Sequence, residues 1–83
     1  MLSLSPKDYG LISKVKLIQS DDHIGIVIDR KSRIIMKDGV RILDQVKKIK
    51  KITNNVIHLY TSAPVCSKTK VFLNKNNILI NSI

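Results

Sequence analysis

One segment, Asp38 to Thr53, reads DGVRILDQVKKIKKIT and is the only stretch with a clear helical period. Mapped at about 100° per residue, Ile42, Leu43, Val46, Ile49 and Ile52 fall on one side. Lys47, Lys48 and Lys51 fall on the other, with Asp44 among them and Lys50 on a flank. The spacing predicts a helix over residues 38–52 that buries its apolar face and turns its lysines outward. Asp38 is placed to accept from the first free amides. Asp44 pairs with Lys48 four residues later, and lysines in the last turns suit the negative end of the helix dipole. Thr53-Asn54-Asn55 ends the helix, since Asn tolerates the left-handed cap position.

Strand signals surround this helix. Ile24 to Ile28 is a β-branched run with one glycine, and its continuous apolarity predicts a central strand buried on both faces. Asp29-Arg30-Lys31-Ser32 reads as a hairpin turn into an antiparallel strand, Arg33 to Met36. Val56 to Tyr60 (VIHLY) is a further strand. Strand, helix and strand at this spacing make a crossover unit, so it is expected parallel to an earlier strand. Ile78 to Ile80 follows the turn at Asn74–Asn77 as a last strand. In Gly10 to Ile18, Leu11, Val15 and Leu17 suit a strand, whereas Leu11, Ile12, Val15 and Ile18 suit a helical face; Gly10 and the Val and Ile content favour the strand. Ser67 to Lys75 reads as a short helix with Ser67 as cap and Val71 and Phe72 facing in, or Lys70 to Leu73 reads as a strand. Ser3 to Tyr9, with Ser5-Pro6, reads as an irregular arm. The fold expected is α/β or α+β, a small mixed sheet of about four strands with one main amphipathic helix and a short second helix, in one domain over residues 1–83.

Charge narrows the partners. Fifteen Lys and Arg face six acids, all of them Asp, for a net charge of +9. Such a surface attracts nucleic acid, acidic protein surfaces or anionic membranes. A chain rich in Lys, Ile and Asn also arises from biased composition alone. No apolar run approaches the ~18 residues that span a bilayer. A single cysteine excludes an internal disulfide framework and a Cys-based zinc site, and fits a reducing compartment such as the cytoplasm. Aromatic residues are few: Tyr9, Tyr60 and Phe72. Contact with RNA or DNA is therefore expected at phosphates, through Lys47, Lys48 and Lys51 with Arg30, Lys31 and Arg33, independent of sequence and sensitive to salt.

Three groups of residues invite a chemical reading. In Val56 to Ile80, a strand ending in Tyr60-Thr61-Ser62 is followed by Pro64, Cys66, Thr69-Lys70, Phe72-Leu73 and Asn77-Ile78. This stretch resembles the opening unit of glutaredoxin-type redox proteins. The resemblance implies a Cys66 thiolate at a helix N-terminus, where free amides lower its pKa. It departs from that pattern in having no CxxC: Ala63 stands in its place, and Ser67-Lys68-Thr69 follows Cys66. The alternative for Cys66 is a small buried residue.

Asp29-Arg30-Lys31, with Asp21 and Asp22 before it, has residue types used in metal-dependent nuclease sites, and equally those of a plain turn. His23 and His58 have no partner spaced for catalysis or metal binding. No phosphate loop, Ser/His/Asp set or dinucleotide fingerprint is present. The chain reads as a non-enzymatic basic module without a cofactor, docking onto nucleic acid or a nucleoprotein assembly. The alternatives are a homo-oligomer or subunit of a larger complex, using the C-terminal strand as an exposed edge, and a thiol-dependent protein acting through Cys66.

Overall fold

The computed structural model describes residues 2–83. Its elements are β1 (Leu2–Leu4), β2 (Lys16–Gln19), β3 (His23–Ile28), α1 (Met36–Lys50), β4 (Val56–Thr61), α2 (Ser67–Lys75) and β5 (Leu79–Ser82), with a 3₁₀ turn at Pro6–Tyr9. One five-stranded mixed sheet runs in the order β1-β2-β3-β4-β5. β1, β2 and β3 are joined antiparallel; β4 and β5 add parallel to β3. The expected α+β class is present, with β3 in the central place that its apolarity predicts and β4 parallel to it.

Period-two alternation decides which side chains meet the helices. Ile24 and Ile26 of β3, Ile57 and Leu59 of β4 and Leu17 of β2 point to one side, paired as Ile26↔Leu59, Ile24↔Ile57 and Leu17↔Ile26. Ile42, Val46 and Ile49 of α1 and Leu73 of α2 close over them in a single core. Each such side chain contributes roughly 1.5–3 kcal/mol when fully buried. The two helices also touch each other. Gly39 of α1 lies against Thr69 of α2, where a Cβ on Gly39 would stand 2.9 Å from Thr69 Cγ2. The 3₁₀ turn and the segment after it cover the β1–β2 end, with Leu4, Tyr9 and Val15 packed against the core and Leu11 in it.

Several expectations are corrected. Arg33 to Met36 is not a strand, and Asp29–Ser32 is not a hairpin turn. Ile34 alone forms an isolated bridge to Val65, its N–H donating to the Pro64 carbonyl at 2.8 Å. Ile35 is already the residue before α1, because the Asp38 carboxylate reaches back to accept its N–H at 2.9 Å. The helix thus spans Met36–Lys50, two residues ahead of the expected register, and Ile52 falls beyond it, 59% exposed. The left-handed residues among those described are Gly10, after the 3₁₀ turn, and Asn77, after α2, and none lies in Thr53–Asn55. Residues 11–18 form a strand only from Lys16, and the expected arm contains β1 and a 3₁₀ turn. α2 forms as the helix reading expects, but Cys66 takes the cap position, Thr69 and Leu73 face in, and Val71 is 54% exposed.

Candidate functional site

A groove runs along one side of α1. Its inner wall is a helical stripe, Asp38, Arg41, Gln45 and Lys48, at spacings of three and four residues. Its outer wall is the non-helical segment Gly10–Lys16. The wider part, about 360 Å³, lies at the carboxyl end of β3 over Ile26, Ile28 and Ile42. A narrower part of about 190 Å³ continues toward Asp44 and Lys48, sharing Ile12, Val15, Arg41 and Gln45 with the first. The groove exists because two helices cannot cover five strands. Over β3 a seam is left between α1 and the non-helical chain at Ile12–Lys16.

Cations crowd this seam: Lys14, Lys16, Arg30, Arg41 and Lys48. Its two acids are both paired. Arg30 Nη2 donates to Asp38 Oδ2 at 2.6 Å, and Lys48 Nζ lies 3.3 Å from Asp44 Oδ2. Arg30 is also held by the Ser32 and Arg33 carbonyls, each at 3.1 Å. The Arg30 hydrogen bond, helped by the Ile35 amide, holds the Asp38 carboxyl below the usual carboxylate range. Asp38 therefore stays charged, and Arg30 serves the loop and the helix start as well as the groove.

The six cations expected at phosphates do not form one patch. Arg30, Lys31 and Arg33 stand before the start of α1; Lys47, Lys48 and Lys51 stand at its end. A 15-residue helix separates them by about 20 Å at 1.5 Å per residue. Lys31, Arg33, Lys47 and Lys51 are exposed. The groove joins the two sets through Arg30 and Lys48, and adds Lys14, Lys16 and Arg41. The stripe Arg41–Gln45–Lys48 was open to reading in the sequence, but it resembles any solvated helix side until the Gly10–Lys16 segment is laid beside it.

A second cluster lies on the sheet face opposite the helices. His23 of β3 and His58 of β4 stack with ring centroids 3.9 Å apart and planes 14° from parallel, with Tyr60 beside them. The Tyr60 hydroxyl and His23 Nε2 share a hydrogen bond, and the opposite ring nitrogen of His23 bonds Asp22 at 2.7 Å. That bond lowers the Asp22 pKa from its ordinary value. The Asn81 amide donates to His58 Nδ1 at 3.1 Å. Burial, and then the neighbouring His23, push the His58 pKa down, which keeps this nitrogen an acceptor. All four ring nitrogens of the pair except His58 Nε2 are thereby engaged within the protein, a structural arrangement of the open face.

The carboxylates of the nuclease reading stay apart. Asp21 and Asp22 precede β3, and Asp29 follows it, about 20 Å away along a strand rising ~3.3 Å per residue. Asp29 accepts from Ser62 Oγ at 2.6 Å. No group of three or more metal-ligating side chains occurs among the described residues. Cys66 is half-buried at the N-terminus of α2, where the Lys68 and Thr69 amides lower its thiol pKa. Among the described residues no helix is long and apolar enough to cross a membrane. Comparison of the chain with protein-family models, curated proteins and solved structures gives no match. The likeness of Val56–Ile80 to a glutaredoxin-type unit therefore rests on β4, α2 and Cys66 alone.

Proposed function

We propose that this protein is a non-enzymatic basic module that docks onto nucleic acid, or a nucleoprotein assembly, through phosphate contacts along α1 and the Gly10–Lys16 segment. One observation supports the reading above the others. Lys14, Lys16 and Arg41 around the groove, and Lys47 and Lys51 at the end of α1, are exposed without a carboxylate partner among the described residues, while Asp38 and Asp44 of the groove are paired. An anion approaching there meets positive charge already in place, and the net charge of +9 steers it in.

Phosphate contacts release counterions, so affinity falls with salt at a slope of about 0.7–0.9 per contact. Binding of a labelled oligonucleotide measured by anisotropy between about 50 and 200 mM salt gives that slope. The variant Lys47→Gln/Lys48→Gln/Lys51→Gln is expected to weaken binding to any sequence. It should flatten the slope by about 2, because Lys48 is partly engaged by Asp44. An unchanged slope removes the α1 lysines from the interface.

A second reading rests on β5. It pairs only with β4, at the end of the sheet order, and its Leu79 is 53% exposed. An edge strand of this kind takes an added strand from a second copy or another protein. The two readings use opposite ends of the molecule and are compatible.

A further inference from the structure

We infer that the groove between α1 and the Gly10–Lys16 segment seats an unpaired nucleotide, so that the protein selects single-stranded over duplex nucleic acid. This rests on the nucleic-acid reading above and goes further by naming the strand form. A phosphate-only surface needs exposed cations and nothing more. Here the cations stand around a floor whose reachable apolar surface is that of the half-buried Val15 and Ile28, above the buried Ile26 and Ile42, with Ile12 at the mouth, 70% exposed. Ile12 is one of several exposed aliphatic side chains, and its place beside the rim cations sets it where the face of a base would lie.

Size and position agree with this occupant. The wider part, about 360 Å³, is at the low end of the ~300–1,000 Å³ typical of small-ligand sites, room for one nucleotide and not for a stacked run. Lys14, Lys16 and Arg41 stand at its rim, placed for the phosphates on either side of the seated base. The narrower part, leading toward Lys48, gives the backbone a continuing path along α1. In a duplex the faces of the bases are stacked and unavailable, so only an unpaired base reaches an apolar floor.

The test compares a short single strand with the duplex of the same sequence, by anisotropy at one fixed salt, for the wild type, Ile12→Asp and Arg41→Gln. Ile12 is exposed and Arg41 is on the surface, so both variants should keep the wild-type circular dichroism and melting temperature. The expected result is tighter binding of the single strand by the wild type. Ile12→Asp should reduce single-strand affinity about tenfold and duplex affinity much less; Arg41→Gln should reduce the single strand more than the duplex. A wild type that binds both forms equally, or an Ile12→Asp variant that loses both equally or neither, overturns the groove assignment while leaving phosphate docking in place. No binding of either form by the wild type overturns the nucleic-acid reading, and this inference with it.

Discussion

On the helix-covered face of the sheet, Leu17, Ile24, Ile26, Ile57 and Leu59 are each no more than 1% exposed. On the opposite face the neighbouring positions of the same strands carry His23, Gly25, Val27, His58 and Tyr60, and no helix lies over them among the described residues. Parallel strands are ordinarily covered on both faces. Here the second face covers itself. Tyr60 leans across to β3 and occupies the space above Gly25, where a Cβ would lie 2.6 Å from two of its ring carbons. His23 and His58 stack flat on each other, and Asn81 reaches over from β5. One face is held by interlocking aliphatic layers and the other by a few large polar rings lying across strands. The first should depend on volume, and the second on particular contacts.

The largest effect is expected on the covered face. Leu59 is fully buried between α1, α2 and the sheet, and Leu59→Ala should cost about 3 kcal/mol through lost transfer energy and the cavity left behind. Chemical denaturation measures this. For a domain of this size such a loss approaches the whole stability, so the experiment belongs at low temperature. A cost below about 1 kcal/mol would mean that the helices close over the gap, and that this face is no more tightly specified than the open one.

A smaller effect, with a different signature, is expected opposite. Gly25→Ala should cost about 1–2 kcal/mol, because the new methyl displaces the Tyr60 ring and with it the hydroxyl bond to His23. The cost should shrink in a Tyr60→Ala background, where the ring is gone and only Ile18 Cγ1, 3.0 Å from the added Cβ, still crowds residue 25, with a coupling of about 1 kcal/mol in the double-mutant cycle. Additive effects would place the crowding at Ile18 rather than at Tyr60, and the ring's leaning over Gly25 would be incidental.

The same contrast explains what was legible in the sequence. The covered face is written largely locally: alternation in β4 and a 3.6-residue period in α1 mark which side chains turn inward, whereas the continuous apolarity of β3 predicts burial on both faces and the described helices cover only one. The chain between them is not. Ile34 and Ile35 read as a strand because nothing in Arg33–Met36 reveals that Asp38 bonds backward to the Ile35 amide and starts the helix early. β1 and β2 have three and four residues, too few for a period to register. The groove and the ring stack depend on residues far apart in the chain. Lys14 and Arg41 come to line one groove, and His23 meets His58, through the packing of the loop and the register of parallel strands, which local pattern does not encode.

The smallest expected effect is a pH dependence confined to the open face. Burial holds His58 below its ordinary value near 6.5, and Asn81 donates to its Nδ1. As pH falls, the unfolded chain takes up this proton before the folded one does, so folding stability drops. The contribution is present in full above about pH 6.5 and is lost as pH falls through the lowered folded value. Asp38 acts in the same direction in a separate window, below the ordinary carboxylate range, so the two are resolved by pH. His23 stacks on the same ring and Asp22 bonds to His23, so the variant is the informative comparison. Replacing His58 by Gln should flatten the fall in melting temperature between about pH 7 and 5 and leave the fall below pH 4 unchanged. If both proteins lose stability in parallel across the upper window, the histidine stack does not feel the protonation of His58. The open face would then tolerate charge as an ordinary solvated surface does, and the difference between the two faces would come down to packing alone.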